Sequence, residues 1–170
     1  MLKNKILLFM FLLFLCLSVV VITIKFIPKS KDIDVVNTIN DYSESSIVLD
    51  KNTKRILYEN NIHEKQLTAS IAKIMTCIVA IENGDLNKYC TVTKEATKQI
   101  GSSIYLQLGD KLSLKDLLYG LMLRSGNDAA YLISINVCNS LEEFVLLMNK
   151  TAKQINMNNS TFENPSGLDE

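Results

Sequence analysis

Ser70 and Lys73 form a Ser-x-x-Lys motif, and this pair is the first candidate for chemistry. Residues three apart on a helix are neighbours on its surface, so the lysine amine can reach the serine hydroxyl. A serine becomes a nucleophile when a base takes its proton, and a lysine whose pKa is lowered by burial can be that base. Ser70 is expected in the first turn of the helix, where free backbone N–H groups favour a developing oxyanion. The pair therefore predicts acyl transfer through a serine nucleophile.

A second candidate, Ser125-Gly126-Asn127, is expected at the junction of two helices. We expect Gly126 to provide the sharp turn, because glycine is conformationally permissive, and both polar side chains to project from the connection. A hydroxyl there can pass a proton from the lysine to a leaving group, and an amide can hold a substrate carbonyl or the lysine. Each motif also has a simpler explanation. A Ser-x-x-Lys occurs about once by chance at this composition, and serine and asparagine are ordinary helix-capping residues.

Short β-strands are predicted in two places. Runs rich in β-branched and aromatic residues at 45–50 and 55–60 flank a four-residue turn, which is typical of a β-hairpin. Two further strand-like pieces, at 91–93 and 104–106, bracket a polar stretch. Helices are expected to dominate the rest of the chain, so the pattern indicates an α+β fold.

Four helices are predicted, three of them from apolar residues at helical spacing. The first ends at Asn83-Gly84, the second is capped by Ser113, the third covers 127–137 and the fourth begins with a capping box at Ser140. The faces expected to be buried comprise Ile71, Ile74, Met75, Ile78 and Val79 in the first helix, and Leu141, Phe144, Val145, Met148, Ala152 and Ile155 in the fourth.

An apolar run over residues 6–24 follows two lysines at the N-terminus. Nineteen residues in a helix reach roughly 28 Å, close to the hydrocarbon thickness of a bilayer. We therefore predict a signal-anchor or signal peptide over 1–27, a polar linker over 28–44, and the working domain over 45–170. The absence of an Ala-x-Ala cleavage site favours a retained membrane-spanning helix over a cleaved signal. The domain is expected on the extracytoplasmic side, or secreted if the signal is cleaved.

The composition excludes several classes of protein. With 18 Lys+Arg against 18 Asp+Glu, the chain lacks the basic excess of a nucleic-acid binder. Its single histidine, His63, excludes multi-histidine metal sites and leaves little for a Ser-His-Asp triad. The four cysteines show no Cys-x-x-Cys spacing, although Cys90 and Cys138 could pair in an oxidising compartment. No metal and no cofactor are expected.

Together the motifs resemble those of the penicillin-binding proteins and related β-lactamases. Residues 68–76 resemble the active-site helix of that family, and residues 125–130 resemble its second motif. Residues 144–149 and 162–168 resemble later segments of the low-molecular-mass penicillin-binding proteins, the serine-type D-alanyl-D-alanine carboxypeptidases. The resemblance extends over 45–170 and implies an α+β penicillin-binding-protein or β-lactamase-like transpeptidase fold.

The resemblance also implies a role for each candidate residue. Ser70 would be acylated by a peptidoglycan stem peptide ending in D-Ala-D-Ala, with release of the terminal D-alanine, and Lys73 would be its general base. Ser125 would relay the proton to the departing D-alanine. Asn127 would bind the substrate and orient both the substrate and Lys73. β-Lactam antibiotics would trap Ser70 as a slowly hydrolysed acyl-enzyme.

Several positions depart from the family pattern. Ala72 replaces a common threonine, Thr68 a common proline, and Ser166 a common histidine. No Lys-Thr-Gly, the third motif of the family, occurs in the 170 residues, so the fold is expected to be incomplete at the C-terminus and the activity weak or lost. Two alternatives follow: an inactive, membrane-tethered remnant that binds cell wall, or a β-lactamase-like acyl-transfer protein. The latter needs a deacylating glutamate, whereas Glu142 and Glu143 are expected in the capping box.

Overall fold

A computed structural model of the chain describes Met10 and residues 42–168. Apart from Met10, the segment predicted to enter the membrane lies outside the described residues, as does most of the predicted linker. The chain divides into two compact units, residues 1–62 and 63–170.

The described part of the first unit is a β-hairpin, as predicted. Strand β1 (Ser46–Leu49) pairs antiparallel with strand β2 (Ile56–Asn60), and the register shifts between Val48 and Leu49. The Asp50 carboxylate closes the turn, because it accepts hydrogen bonds from the backbone N–H and the hydroxyl of Thr53 at 2.6 and 2.7 Å. These hydrogen bonds lower the pKa of Asp50 below its usual value.

The second unit contains one short antiparallel sheet among its described residues. It pairs strand β3 (Tyr89–Thr91) with strand β4 (Lys111–Ser113). The strand predicted at 91–93 thus begins two residues earlier, and the strand predicted at 104–106 is wrong. Tyr105 has a φ of 61°, outside the β region, and the N–H groups on either side of it donate to the buried Asp128 carboxylate instead of to a neighbouring strand.

Four α-helices follow the order predicted from the sequence. They are α1 (Lys73–Asn83), α2 (Leu114–Arg124), α3 (Asn127–Cys138) and α4 (Leu141–Gln154). Side-chain hydrogen bonds cap the starts of two of these helices, as predicted. The Ser113 hydroxyl accepts the N–H of Asp116, and the Ser140 hydroxyl accepts the N–H of Glu143, each over 3.1 Å. The capping box is only half formed, since the N–H of Ser140 donates to the Cys138 carbonyl.

The core of the second unit lies where α1, α2, α3 and α4 meet. Its largest fully buried side chains include Phe144, Leu114, Leu117, Leu121, Leu132, Ile133, Met148 and Val79. The buried face predicted for the first helix differs from the one observed. Ile74 in α1 and Ile71, just before α1, are 50% and 65% exposed, while Lys73 and Thr76 are buried. Ile155, predicted to be buried, lies just beyond the end of α4 and is exposed.

No single helix among the described residues is long and apolar enough to cross a bilayer. Helices α3 and α4 meet the length and composition criteria only when taken together, and they are bent by 87° at the break between them.

Candidate active site

Ser70 lies in a 3₁₀ turn, Ala69–Ala72, that runs directly into α1. The predicted position in the first turn of an α-helix is therefore wrong by one turn. A 3₁₀ helix has three residues per turn, so residues i and i+3 stack above one another. Lys73 Nζ consequently lies 3.1 Å from Ser70 Oγ, in hydrogen-bonding contact. The turn starts at Ala69, whose φ of 45° falls in the left-handed region that non-glycine residues rarely adopt.

Lys73 is 3% exposed, whereas its serine partner is exposed. The ammonium is poorly solvated there, and burial lowers the pKa of Lys73 below its usual 10.5. Nζ also donates to the carbonyl of Ser166 over 2.7 Å. A neutral amine has two N–H groups and one lone pair, so donation to this carbonyl leaves the lone pair free to accept the Ser70 proton. The arrangement can therefore activate Ser70 as a nucleophile.

The turn that supplies this carbonyl, residues 164–168, is held by side chains that the sequence analysis did not single out. Asn164 Oδ1 accepts the N–H of Gly167 at 2.7 Å and both the N–H and the hydroxyl of Ser166 at 3.0 Å. Thr76 Oγ1 donates to the Pro165 carbonyl over 2.7 Å. An Asn-Pro-Ser-Gly string is a turn signature, and it could have indicated the asparagine-centred turn. Nothing local in the sequence indicates that the turn packs against Lys73.

Ser125 ends α2 with a φ of 56°, and Gly126 has an ordinary φ of −62°. The prediction that Gly126 makes the sharp turn is therefore wrong, because the left-handed residue is Ser125. Glycine is needed at 126 for space: a Cβ there would lie 2.9 Å from Asp128 Oδ1 and 3.0 Å from Ile104 Cγ2. Ser125 is half-buried, and within residues 42–168 no hydrogen bond joins its hydroxyl to Ser70 or Lys73.

Asn127, the third residue of that motif, is buried at the start of α3. Its Nδ2 donates to the Ile100 carbonyl over 2.7 Å, and its backbone N–H donates to the Ser102 carbonyl over 2.7 Å. A Cβ at Gly101 would lie 2.7 Å from Asn127 Nδ2, so a larger residue at this position would collide with the Asn127 side chain. Asn127 Oδ1 is buried and accepts no hydrogen bond from the described residues. This acceptor is the atom that a bound group could satisfy.

Asp128 anchors the same loop from the next position of the chain. Its buried carboxylate accepts the Ser103 hydroxyl at 2.6 Å, the N–H of Ile104 at 3.1 Å, and the N–H of Leu106 at 3.1 Å. The N–H of Ala129 donates to it over 2.9 Å. Asp128 thus fixes the loop whose carbonyls hold Asn127. The sequence analysis gave no role to Ser103 or Asp128.

Other candidate chemistry is sparse in the part of the chain that the structure describes. Residues 42–168 contain no group of three or more His, Cys, Asp or Glu side chains placed to bind a metal ion. Cys77, Cys90 and Cys138 are free thiols, and burial raises the pKa of each. The Cys90–Cys138 disulfide considered from the sequence is therefore absent from this structure.

The sequence that contains the Ser70–Lys73 pair is similar to proteins of a known family. The sequence profile of a peptidase family described as D-alanyl-D-alanine carboxypeptidase matches residues 34–170. The chain belongs to the D-alanyl-D-alanine carboxypeptidase family. It is 35% identical over 133 residues to the D-alanyl-D-alanine carboxypeptidase DacF of Bacillus subtilis, which covers 75% of this chain and 34% of that protein. The resemblance inferred from the motifs is confirmed.

Solved structures of this family share the fold. The chain aligns with the D-alanyl-D-alanine carboxypeptidase DacD of Francisella tularensis with a TM-score of 0.73 and 34% identity, over 78% of this chain and 33% of that chain. It aligns with penicillin binding protein 5 of Haemophilus influenzae with a TM-score of 0.69 and 28% identity, over 75% and 40% of the two chains. The predicted mixed helix-and-strand penicillin-binding-protein fold is thus confirmed. The chain spans about a third of the length of the curated relatives that it matches.

Proposed function

We propose that this D-alanyl-D-alanine carboxypeptidase family member removes the terminal D-alanine from peptidoglycan stem peptides through an acyl-enzyme on Ser70. The observation that carries the proposal is the 3.1 Å contact between Ser70 Oγ and Nζ of the buried Lys73. It pairs an exposed nucleophile with an amine whose pKa burial lowers. General-base activation of this kind is what a serine needs to attack an amide.

The proposed reaction has two steps. Lys73 takes the Ser70 proton while Oγ attacks the carbonyl carbon between the two D-alanines. The C–N bond then breaks, the proton passes through Ser125 to the amine of the departing D-alanine, and an ester on Ser70 remains. Water hydrolyses that ester and regenerates the serine. Asn127 would orient the substrate, and its unpartnered buried Oδ1 supports a role in accepting a hydrogen bond from a bound group.

β-Lactam antibiotics are the second proposed ligand class. They would acylate Ser70, and the resulting acyl-enzyme would hydrolyse slowly. A solved relative at 28% identity is named a penicillin binding protein. The proposed partners of this chain are accordingly a D-Ala-D-Ala stem peptide, β-lactams and the cell membrane, and neither a nucleic acid nor a cofactor is expected to bind.

We further propose that residues 1–27 attach the domain to the membrane and that residues 45–170 work on its extracytoplasmic side. The apolar run over 6–24 supports this, since its length suits a bilayer. A retained anchor is preferred to a cleaved signal because the sequence shows no Ala-x-Ala cleavage site. The Lys-Thr-Gly motif is absent from the 170 residues, so within them no residue is assigned to the substrate carboxylate. The alternative considered from the sequence, an inactive homologue that binds cell-wall peptide, is distinguished from this function by whether Ser70 becomes acylated.

The test is labelling of the full chain, solubilised in detergent, with a fluorescent penicillin. Ser70→Ala is compared with Ser160→Ala, which removes an exposed serine outside the site. Circular dichroism establishes that every variant is folded, and intact mass spectrometry with peptide mapping locates the adduct. Release of D-alanine from a D-Ala-D-Ala peptide is measured on the same preparations.

Label that is lost in Ser70→Ala and kept in Ser160→Ala would establish the nucleophile, and D-alanine release would establish the reaction. Labelled protein that hydrolyses penicillin quickly and releases no D-alanine would support the β-lactamase-like alternative. Folded wild-type protein that takes up no label would overturn the proposed activity in favour of the inactive homologue.

A further inference from the structure

We propose that Thr76 and Asn164 are positioning residues, which hold the Ser166 carbonyl against Lys73 Nζ and so direct the lysine towards Ser70. This proposal rests on the proposed function of Ser70 and Lys73, and it assigns roles to two residues that neither motif contains. Both act through the 164–168 turn and touch neither the nucleophile nor a substrate.

Two consecutive carbonyls of the turn are bound by two side chains of one helix. The Pro165 carbonyl accepts from Thr76 Oγ1 and the Ser166 carbonyl accepts from Lys73 Nζ, each over 2.7 Å. Lys73 and Thr76 are three residues apart in α1 and therefore project from the same face. The threonine is fully buried, so water cannot replace its contact. The hydroxyl thus fixes the carbonyl adjacent to the one that binds the lysine.

Asn164 fixes the other side of the same peptide unit. Its Oδ1 accepts the backbone N–H groups of Ser166 and Gly167, and its Nδ2 donates to the Leu168 carbonyl over 2.8 Å. The N–H of Gly167 belongs to the peptide group whose carbonyl is that of Ser166. Holding this N–H therefore determines the direction in which the carbonyl points.

Close packing limits how far the turn can move. Gly167 has a φ of 70°, and a Cβ there would overlap the Ala69 carbonyl and lie 3.0 Å from Ala72 Cβ. Both alanines belong to the 3₁₀ turn that carries Ser70. The 164–168 turn thus covers Lys73 while it packs against the backbone of the nucleophile. No charged side chain within residues 42–168 contributes to the lowered pKa of Lys73, which has burial as its cause.

The test measures the titration of Lys73 itself in the full chain. Lysine is ¹³C-labelled at Cε, and the Lys73 resonance is assigned by its absence from Lys73→Arg. Thr76→Val removes the hydroxyl and keeps the shape of the side chain, whereas Thr76→Ser retains the hydroxyl. Ser134→Ala is the matched control, since it removes a buried hydroxyl that donates to the Ala130 carbonyl in α3, outside the site.

In Thr76→Val we expect the turn to loosen and water to reach the ammonium. The titration midpoint of Lys73 should then rise by about one pH unit, which lowers the neutral fraction about tenfold below the midpoint. Acylation of Ser70 by penicillin at neutral pH should slow by a similar factor. Thr76→Ser should restore the wild-type midpoint, and Ser134→Ala should leave it unchanged despite its loss of stability.

An unchanged Lys73 midpoint in Thr76→Val would overturn the positioning role of Thr76. A shift of equal size in Ser134→Ala would also overturn it, because the effect would then follow general loss of stability. Asn164→Ala should shift the midpoint in the same direction, and an unchanged midpoint would exclude that residue. Wild-type protein that titrates as expected but takes up no penicillin would count against the proposed function and not against the positioning.

Discussion

The side-chain amide of Asn149 pairs with both backbone polar groups of Phe162. Nδ2 donates to the carbonyl over 2.7 Å, and Oδ1 accepts the N–H over 2.9 Å. Nδ2 also donates to the Val145 carbonyl one turn earlier in α4. Helix α4 therefore holds the segment that leads into the 164–168 turn, and through that turn it supports Lys73.

Replacement of this amide should release that segment. We expect Asn149→Ala to lower the free energy of unfolding by about 2–3 kcal/mol, because its three side-chain hydrogen bonds are lost and both backbone polar groups of Phe162 lose their partner. Urea denaturation measures the change. Asn136→Ala is the control, since Asn136 Nδ2 donates only to the Leu132 carbonyl of its own helix. Equal losses in the two variants would contradict the bridging role of Asn149.

Lys73 should cost stability at neutral pH. Burial lowers the pKa of Lys73 in the folded chain below 10.5, so the unfolded chain binds the proton more tightly. The free energy of unfolding therefore rises with pH between the lowered pKa of the folded chain and 10.5. Lys73→Met is expected to raise the free energy of unfolding at pH 7 by about 1 kcal/mol and to abolish acylation. The difference in free energy of unfolding between Lys73→Met and the wild type should shrink as the pH rises towards 10.5. Urea denaturation at pH 7 and pH 10 checks this, and an advantage independent of pH would exclude the buried charge as its cause.

The buried carboxylate of Asp128 should be hard to replace. We expect Asp128→Asn to lower the free energy of unfolding by about 2–3 kcal/mol, because one oxygen that accepts N–H and hydroxyl donors becomes a donor itself. The loop that holds Asn127 should loosen, and penicillin labelling should slow. Asp110→Asn is the control, since that exposed carboxylate accepts one N–H, from Gln107. A chemical denaturation curve unchanged in Asp128→Asn would refute this account.

Gly167 and Gly109 provide a matched pair of glycines. Both have positive φ, at 70° and 89°, but a Cβ at Gly109 would have nothing within 4 Å. Gly109→Ala should therefore cost about 1 kcal/mol from backbone strain alone. Gly167→Ala should cost about 2 kcal/mol more, since its Cβ would overlap the Ala69 carbonyl and force the two turns apart. Thermal unfolding measures both, and equal melting temperatures would show that the contact yields easily.

The helices were predictable because their signals are local. Apolar spacing located three of them, and the hydroxyls of Ser113 and Ser140 marked two of their starts. The buried face of α1 was not predictable, because hydrophobicity favoured Ile71 and Ile74 over Lys73. The Lys73 side chain is buried there because the distant Ser166 carbonyl accepts a hydrogen bond from it, and sequence spacing contains no information about such an acceptor.

The candidate site was predictable only to the extent that it is local. The spacing of Ser70 and Lys73 predicted their contact, and 3₁₀ geometry realises that contact in a different kind of turn. The left-handed conformation of Ser125 was missed because the adjacent glycine was the residue expected to adopt it. Thr76 and Asn164 were missed because their partners lie across tertiary contacts.

The acceptor for Lys73 Nζ lies 93 positions further along the chain, at Ser166. A ribosome adds about 5–20 residues per second, so Ser70 and Lys73 are synthesised several seconds before that carbonyl exists. During this interval the lysine amine is expected to stay hydrated and protonated, and therefore unable to take the serine proton. A nascent chain should accordingly resist acylation by penicillin until almost all of the described residues have been made.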